Sequence, residues 1–147
     1  MVDTQSNGRS WLRAVAIGIA VALATAAVML ALSTARLTPF PVPPSLAFAQ
    51  TLLHRPLPLP VGLLFHVLYV TFWAVVFVRY FALRNLKTAF ALAAVLWLII
   101  LGIFFPAVGW GFAGLNVSPK LIPASLVPHL LFGFCLWLLD KYLPRAR

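Results

Sequence analysis

Four stretches of this chain contain no Lys, Arg, Asp or Glu: Ala14 to Leu32, about Val61 to Val78, Thr88 to about Val108, and Leu121 to Leu139. Each is close to the ~20 apolar residues a helix needs to cross roughly 30 Å of hydrocarbon. Inside lipid a backbone must satisfy its own hydrogen bonds, so a segment of this kind becomes a helix or belongs to a closed barrel. The alternation of a barrel strand is absent, which leaves helices. The expected fold is therefore all-α: a four-transmembrane-helix bundle in a single domain, residues 14–147, after a short tail over 1–13. Composition agrees, since 63% of the 147 residues are hydrophobic and 9% are charged. That leaves too little polar surface to cover a soluble core.

Charge gives the threading. Arg9, Arg13, Arg79, Arg84, Lys87, Lys141, Arg145 and Arg147 flank one set of helix ends, and Arg36, Arg55 and Lys120 flank the other. Basic residues in short flanks mark the cytoplasmic side, so both termini are expected in the cytoplasm, with the lipid bilayer as first partner. No basic run is long enough to argue for nucleic acid. Arg9 and Arg13 before an apolar run also resemble the start of a secretory signal. The uncharged run to Ala35 is long for one, however, and Ala14, Gly18, Ala22 and Ala26 form a small-residue stripe open to another helix. The segment is expected to remain as a spanning helix.

The outer connection, Leu37 to Pro60, holds seven of the twelve prolines. They break any continuous helix, and Ser45 offers an N-cap for a short interfacial helix ending at Leu53. The Gly109-Trp110-Gly111-Phe112 segment reads as the turn leaving the membrane, with Trp110 as an outer interfacial anchor and Trp11, Tyr80, Trp137 and Tyr142 as an inner belt.

Chemistry is restricted by what is scarce. Asp3 and Asp140 are the only acidic residues and Cys135 the only cysteine. Paired-acid catalysis, carboxylate metal cages and cysteine-held zinc or iron–sulfur sites are thereby excluded within one chain. Asp140 reads as an interfacial ion pair with Lys141, Arg79 or Arg84. The informative polar residues are His66, about 9 Å down the second span, and His129, about 12 Å down the fourth, both counted from the outer face at 1.5 Å per residue. Intramembrane ionisable groups turn inward, so the two imidazoles are expected level with each other and facing across the bundle. His66 shares a stripe with Gly62, Tyr69 and Trp73, and His129 with Ser125, Phe132 and Gly133. Pro128 frees the carbonyl of Ala124, and Pro106 that of Gly102.

In the plainer reading His66 and His129 bond to each other, to Tyr69, to Ser125 or to a freed carbonyl and fix helix register, with no cofactor. In the sharper one they are a ligand-binding set, with His66 and His129 holding haem b or a transition metal, or touching a quinone or lipid. Three functions follow. The first is a non-enzymatic accessory component that binds another membrane protein or itself. The second is a haem-, metal- or quinone-binding protein, and the third a homo-oligomeric transporter of a small solute or lipid. An enzyme is not expected, because no nucleophile, base and orienting acid can be assembled.

The chain also resembles a family of bacterial four-helix inner-membrane proteins described only as a domain of unknown function. The likeness rests on Gly62-Leu63-Leu64-Phe65-His66, on Trp97 to Pro106, on Gly109-Trp110-Gly111-Phe112, and on Ser125-Leu126-Val127-Pro128-His129-Leu130-Leu131-Phe132-Gly133. It covers about the last ninety residues well and departs at Val70 and Ala74, where such proteins carry more glycine. It implies a four-span fold and no particular activity.

Overall fold

The computed structural model describes residues 4–143. Four helices are long and apolar enough to cross a membrane: α1 (Thr4–Thr34, with its apolar portion from Ser10), α3 (Leu59–Tyr80), α4 (Leu86–Ala107) and α5 (Leu121–Tyr142). A short helix, α2 (Pro44–Leu53), lies in the proline-rich connection. No strand occurs among the described residues, and the protein is a multi-pass, all-helical membrane protein. The expected spans are matched to within a few residues at each end. The helices run slightly past the apolar segments because the flanking turns, such as Asn85 to Thr88, have their own hydrogen-bonding partners.

Helix α1 is the hub. It packs along α3 and also along α5, while α4 packs on α5 and α2 packs on α3. The α1–α3 contact is close because Gly18 lies against Thr71. A Cβ at Gly18 would come within 2.7 Å of the Thr71 Cα. Ala14, Gly18 and Ala22 are buried and Ala26 is half-buried, so the small-residue stripe of α1 is occupied within the chain and is not left open to an outside helix. Without a hydrophobic force between helices in lipid, such close van der Waals approach supplies much of the association energy. The main core gathers Ile17 and Val21 of α1, Val70, Ala74 and Phe77 of α3, Leu92 and Leu96 of α4, and Phe132 and Leu136 of α5.

At the end of the bundle away from the termini (the loop end), a second core forms around Phe105, Trp110, Leu121 and Ala47. Trp110 is only 9% exposed and packs on Phe105 (5.3 Å between ring centroids) and Phe40 (6.3 Å). It is thus a core residue and not the interfacial anchor expected from its position. Gly109 and Gly111, at φ +80° and +76°, adopt the left-handed backbone that turns the chain around the indole.

Two proline expectations take a specific form. Helix α2 starts at Pro44, whose fixed φ suits the first helical position, with Pro43 in the cap position and no side-chain cap; Ser45 is therefore not the N-cap. Near Pro106 the third span contains one turn of π-helix, Ile100–Phe104, in which the Phe105 amide donates to the Ile100 carbonyl. The disruption expected at Gly102 is absorbed as a bulge that keeps the helix continuous.

Gly18→Ala should reduce stability by about 1–3 kcal/mol, because its new methyl group meets backbone atoms. Gly102→Ala should leave stability unchanged or raise it by up to ~1 kcal/mol, because a Cβ at Gly102 meets nothing within 4 Å. Unfolding midpoints in mixed micelles distinguish the two.

Candidate functional site

The polar atoms inside the spans form two separate clusters. On α3, the His66 ring nitrogen Nε2 lies 3.2 Å from the Ala22 carbonyl and 3.0 Å from the Thr25 hydroxyl, both on α1. A carbonyl can only accept, so Nε2 carries the proton and donates to both oxygens. Thr25 is 1% exposed, and its own hydroxyl donates back to the carbonyls of Val21 (2.9 Å) and Ala22 (3.0 Å). Small residues at Gly18 and Ala22 let the two backbones approach closely enough for an imidazole on one helix to reach a carbonyl on the other.

The second cluster ties α4 to α5. Trp97 Nε1 donates to the Ser125 hydroxyl at 3.1 Å, and that hydroxyl donates to the Ile122 carbonyl at 3.0 Å. Ser125 is 1% exposed. His129 Nδ1 donates to the Ser125 carbonyl at 2.7 Å, so the proton of this ring is on Nδ1. The carbonyl used is the one four residues before His129, and not that of Ala124, which Pro128 deprives of its usual donor.

The sequence-derived set is therefore divided. Ser125 and His129 share one turn of α5, and His66 is joined to α1. No hydrogen bond links the two histidines. Tyr69 sits among aromatic rings, 5.6 Å from Phe104 and 6.4 Å from Trp73 between centroids. The glycines on the two histidine stripes are closely packed. Gly62 faces Leu46 of α2, where a Cβ would lie 2.6 Å from the Leu46 Cβ, and Gly133 faces Ala89, Phe90 and Ala93 of α4. Nδ1 of His66 and Nε2 of His129 receive no hydrogen bond from the described residues. The described residues contain no group of three or more His, Cys, Asp or Glu that could hold a metal ion.

A third polar cluster closes the end of the bundle that carries the termini. Asp140 is 2% exposed; its carboxylate accepts from Arg13 Nη1 at 2.9 Å and lies 3.7 Å from Arg84 Nε. Arg13 Nη2 also donates to the carbonyls of Asp140 (2.7 Å) and Leu143 (3.1 Å), and Arg84 donates to the Val78 carbonyl at 2.6 Å. The guanidinium groups thus neutralise a carboxylate and cap the carbonyl ends of α5 and α3 together. Nearby, Arg79 donates to the Ser10 hydroxyl and stacks 4.7 Å over the Trp11 ring. Arg84 is among the partners the sequence suggests for Asp140, and Arg13 joins it.

Thr25, Trp97 and Arg13 were not singled out from the sequence as site residues. The available signal was positional: Thr25 follows Ala22 by three residues on the buried side of α1, and Arg13 adjoins Ala14 on it. No family model matches the chain, and neither does any curated protein or solved structure.

Thr25→Val and His66→Ala should each destabilise the fold, with a coupling energy of about 0.6 kcal/mol and no more than ~1.7 in a double-mutant cycle. Asp140→Asn should cost more, about 3 kcal/mol, since it removes the charge that Arg13 and Arg84 share in a largely buried setting. Chemical unfolding of the detergent-solubilised variants measures all three.

Proposed function

We propose that this chain is a non-enzymatic accessory component of a bacterial cytoplasmic membrane, with both termini inside, that acts by associating with another transmembrane segment. The observation that carries this reading is Gly102. It lies on the exposed side of α4 along with Ala91, Ala94, Val95 and Leu98. Its φ is not positive and a Cβ there would touch nothing, so neither backbone conformation nor internal packing calls for glycine. Glycine within a helix costs roughly 1 kcal/mol relative to alanine. A close neighbour from outside the chain gives that cost a purpose, as small residues do at helix interfaces in lipid. The contacts of His66 with Thr25 and Ala22, and of Trp97 with Ser125, support the same reading, because they hold the chain's own helices together.

The test is photo-cross-linking in cells with a reactive residue at Leu98, compared with Leu68 on the exposed side of α3. A specific adduct is expected from Leu98 only, with another membrane protein or a second copy, and it should be lost in Gly102→Leu. Absence of any adduct, together with monomeric behaviour in mild detergent, would overturn the reading.

One observation favours a second reading, in which His66 and His129 bind haem, a metal or a quinone. Each imidazole donates one N–H to a backbone carbonyl and leaves the other nitrogen open, which is how ligating histidines are commonly oriented. This reading expects a Soret band or stoichiometric metal in the purified protein that disappears in both His66→Ala and His129→Ala. A colourless, metal-free preparation from supplemented cells contradicts it.

A further inference from the structure

The connection between α1 and α3 leaves an open groove of about 380 Å³ at the loop end, between α2 and the turn that follows α4. Its walls are of two kinds. Val42, Ala47, Val108 and Trp110 are apolar, and Gln50, Thr51 and Arg55 are polar or charged. Helix α2 ends in a left-handed residue, His54 at φ 51°, and the Arg55 amide then bonds back to the Gln50 carbonyl. This turn places Arg55 at the rim.

The described residues have no acid to offer Arg55. Asp140 is committed to Arg13 and Arg84 at the opposite end of the bundle, and Asp3, the other acidic residue of the sequence, lies outside the described residues. The Arg55 guanidinium makes no hydrogen bond or ion pair with the described residues. Five donor N–H groups therefore stand beside an apolar trough at the end of a membrane-spanning bundle. Such a pairing of chemistries suits an anion that carries a hydrocarbon stem.

We propose that this groove is a binding site for the phosphate headgroup of an anionic lipid, with the phosphate on Arg55 and the adjoining acyl stem on Val42, Ala47, Val108 and Trp110. Arginine matches a phosphate in bidentate geometry, and basic recesses at helix ends are recognised headgroup sites. The assignment is independent of the association surface on α4, because it uses none of that surface's residues.

The test is native mass spectrometry of the intact chain released from nanodiscs of phosphatidylglycerol or of phosphatidylcholine with the same acyl chains. Retained phosphatidylglycerol should exceed retained phosphatidylcholine, and Arg55→Gln should reduce that preference about fivefold, the effect of one headgroup cation. Thr51→Trp, which fills the groove without altering charge, should reduce it as well. Arg36→Gln, which removes an exposed cation outside the groove, should leave it unchanged. Equal losses in Arg36→Gln and Arg55→Gln would show general surface attraction and overturn the site, as would equal retention of the two lipids. Millimolar inorganic phosphate is the remaining arm. Displacement of the lipid by phosphate alone would overturn the role of the acyl stem, and failure to displace it supports that role.

Discussion

Lipid offers a buried polar atom no hydrogen bond, and this constraint organises the whole molecule. Each span is apolar and uncharged along most of its length, yet it contains residues whose polar atoms need partners. For several of them the solution is a backbone carbonyl, while Thr71 Oγ1 is buried without a hydrogen bond. His66 uses the carbonyl of Ala22, His129 that of Ser125, and the hydroxyls of Thr25 and Ser125 return to carbonyls one turn earlier. For an imidazole to reach another helix's carbonyl, the two helices must run close together. That is why the small face of α1 and the polar residues of α3 belong to one device.

The same logic explains how four short helices remain together with about a third or less of each span buried. Two opposite ends are fastened differently. Toward the termini, Arg13 and Arg84 converge on Asp140 and on the last carbonyls of α5 and α3, where a guanidinium can satisfy several acceptors at once. At the loop end, where the described residues offer no carboxylate, aromatic packing takes over. Phe48 of α2 sits 4.7 Å from Phe104 and 6.3 Å from Phe65, bridging α3 and α4. Helix α2 is thereby a wedge between two spans that make little backbone contact with each other.

Much of this was legible in the sequence, and the limits are physical. Charge-free length gave the spans, because hydrocarbon thickness is a fixed ruler. Proline gave the interruption near Gly102, though not its form, since a missing amide can be absorbed by a kink or by a π-bulge. The depth of His66 and His129 could be counted along each helix, but their partners could not. Rotation about the helix axis is set by packing, and nothing in α3 alone reveals that α1 lies beside it. Trp110 misled for a similar reason. An aromatic residue at a helix end resembles an interfacial anchor until Phe40, distant in sequence, is seen to cover it. The small-residue stripe marks a surface for close approach, and the helix that fills it is α3 of the same chain.

The central claim is that the two intramembrane histidines are committed to separate backbone carbonyls, through opposite ring nitrogens. Nitrogen-15 NMR of histidine-labelled protein in detergent reads this directly. The account requires the proton on Nε2 in His66 and on Nδ1 in His129, with Thr25→Val altering the His66 signals and leaving those of His129 in place. Rings that share one tautomer, or that both respond to Thr25→Val, would contradict it.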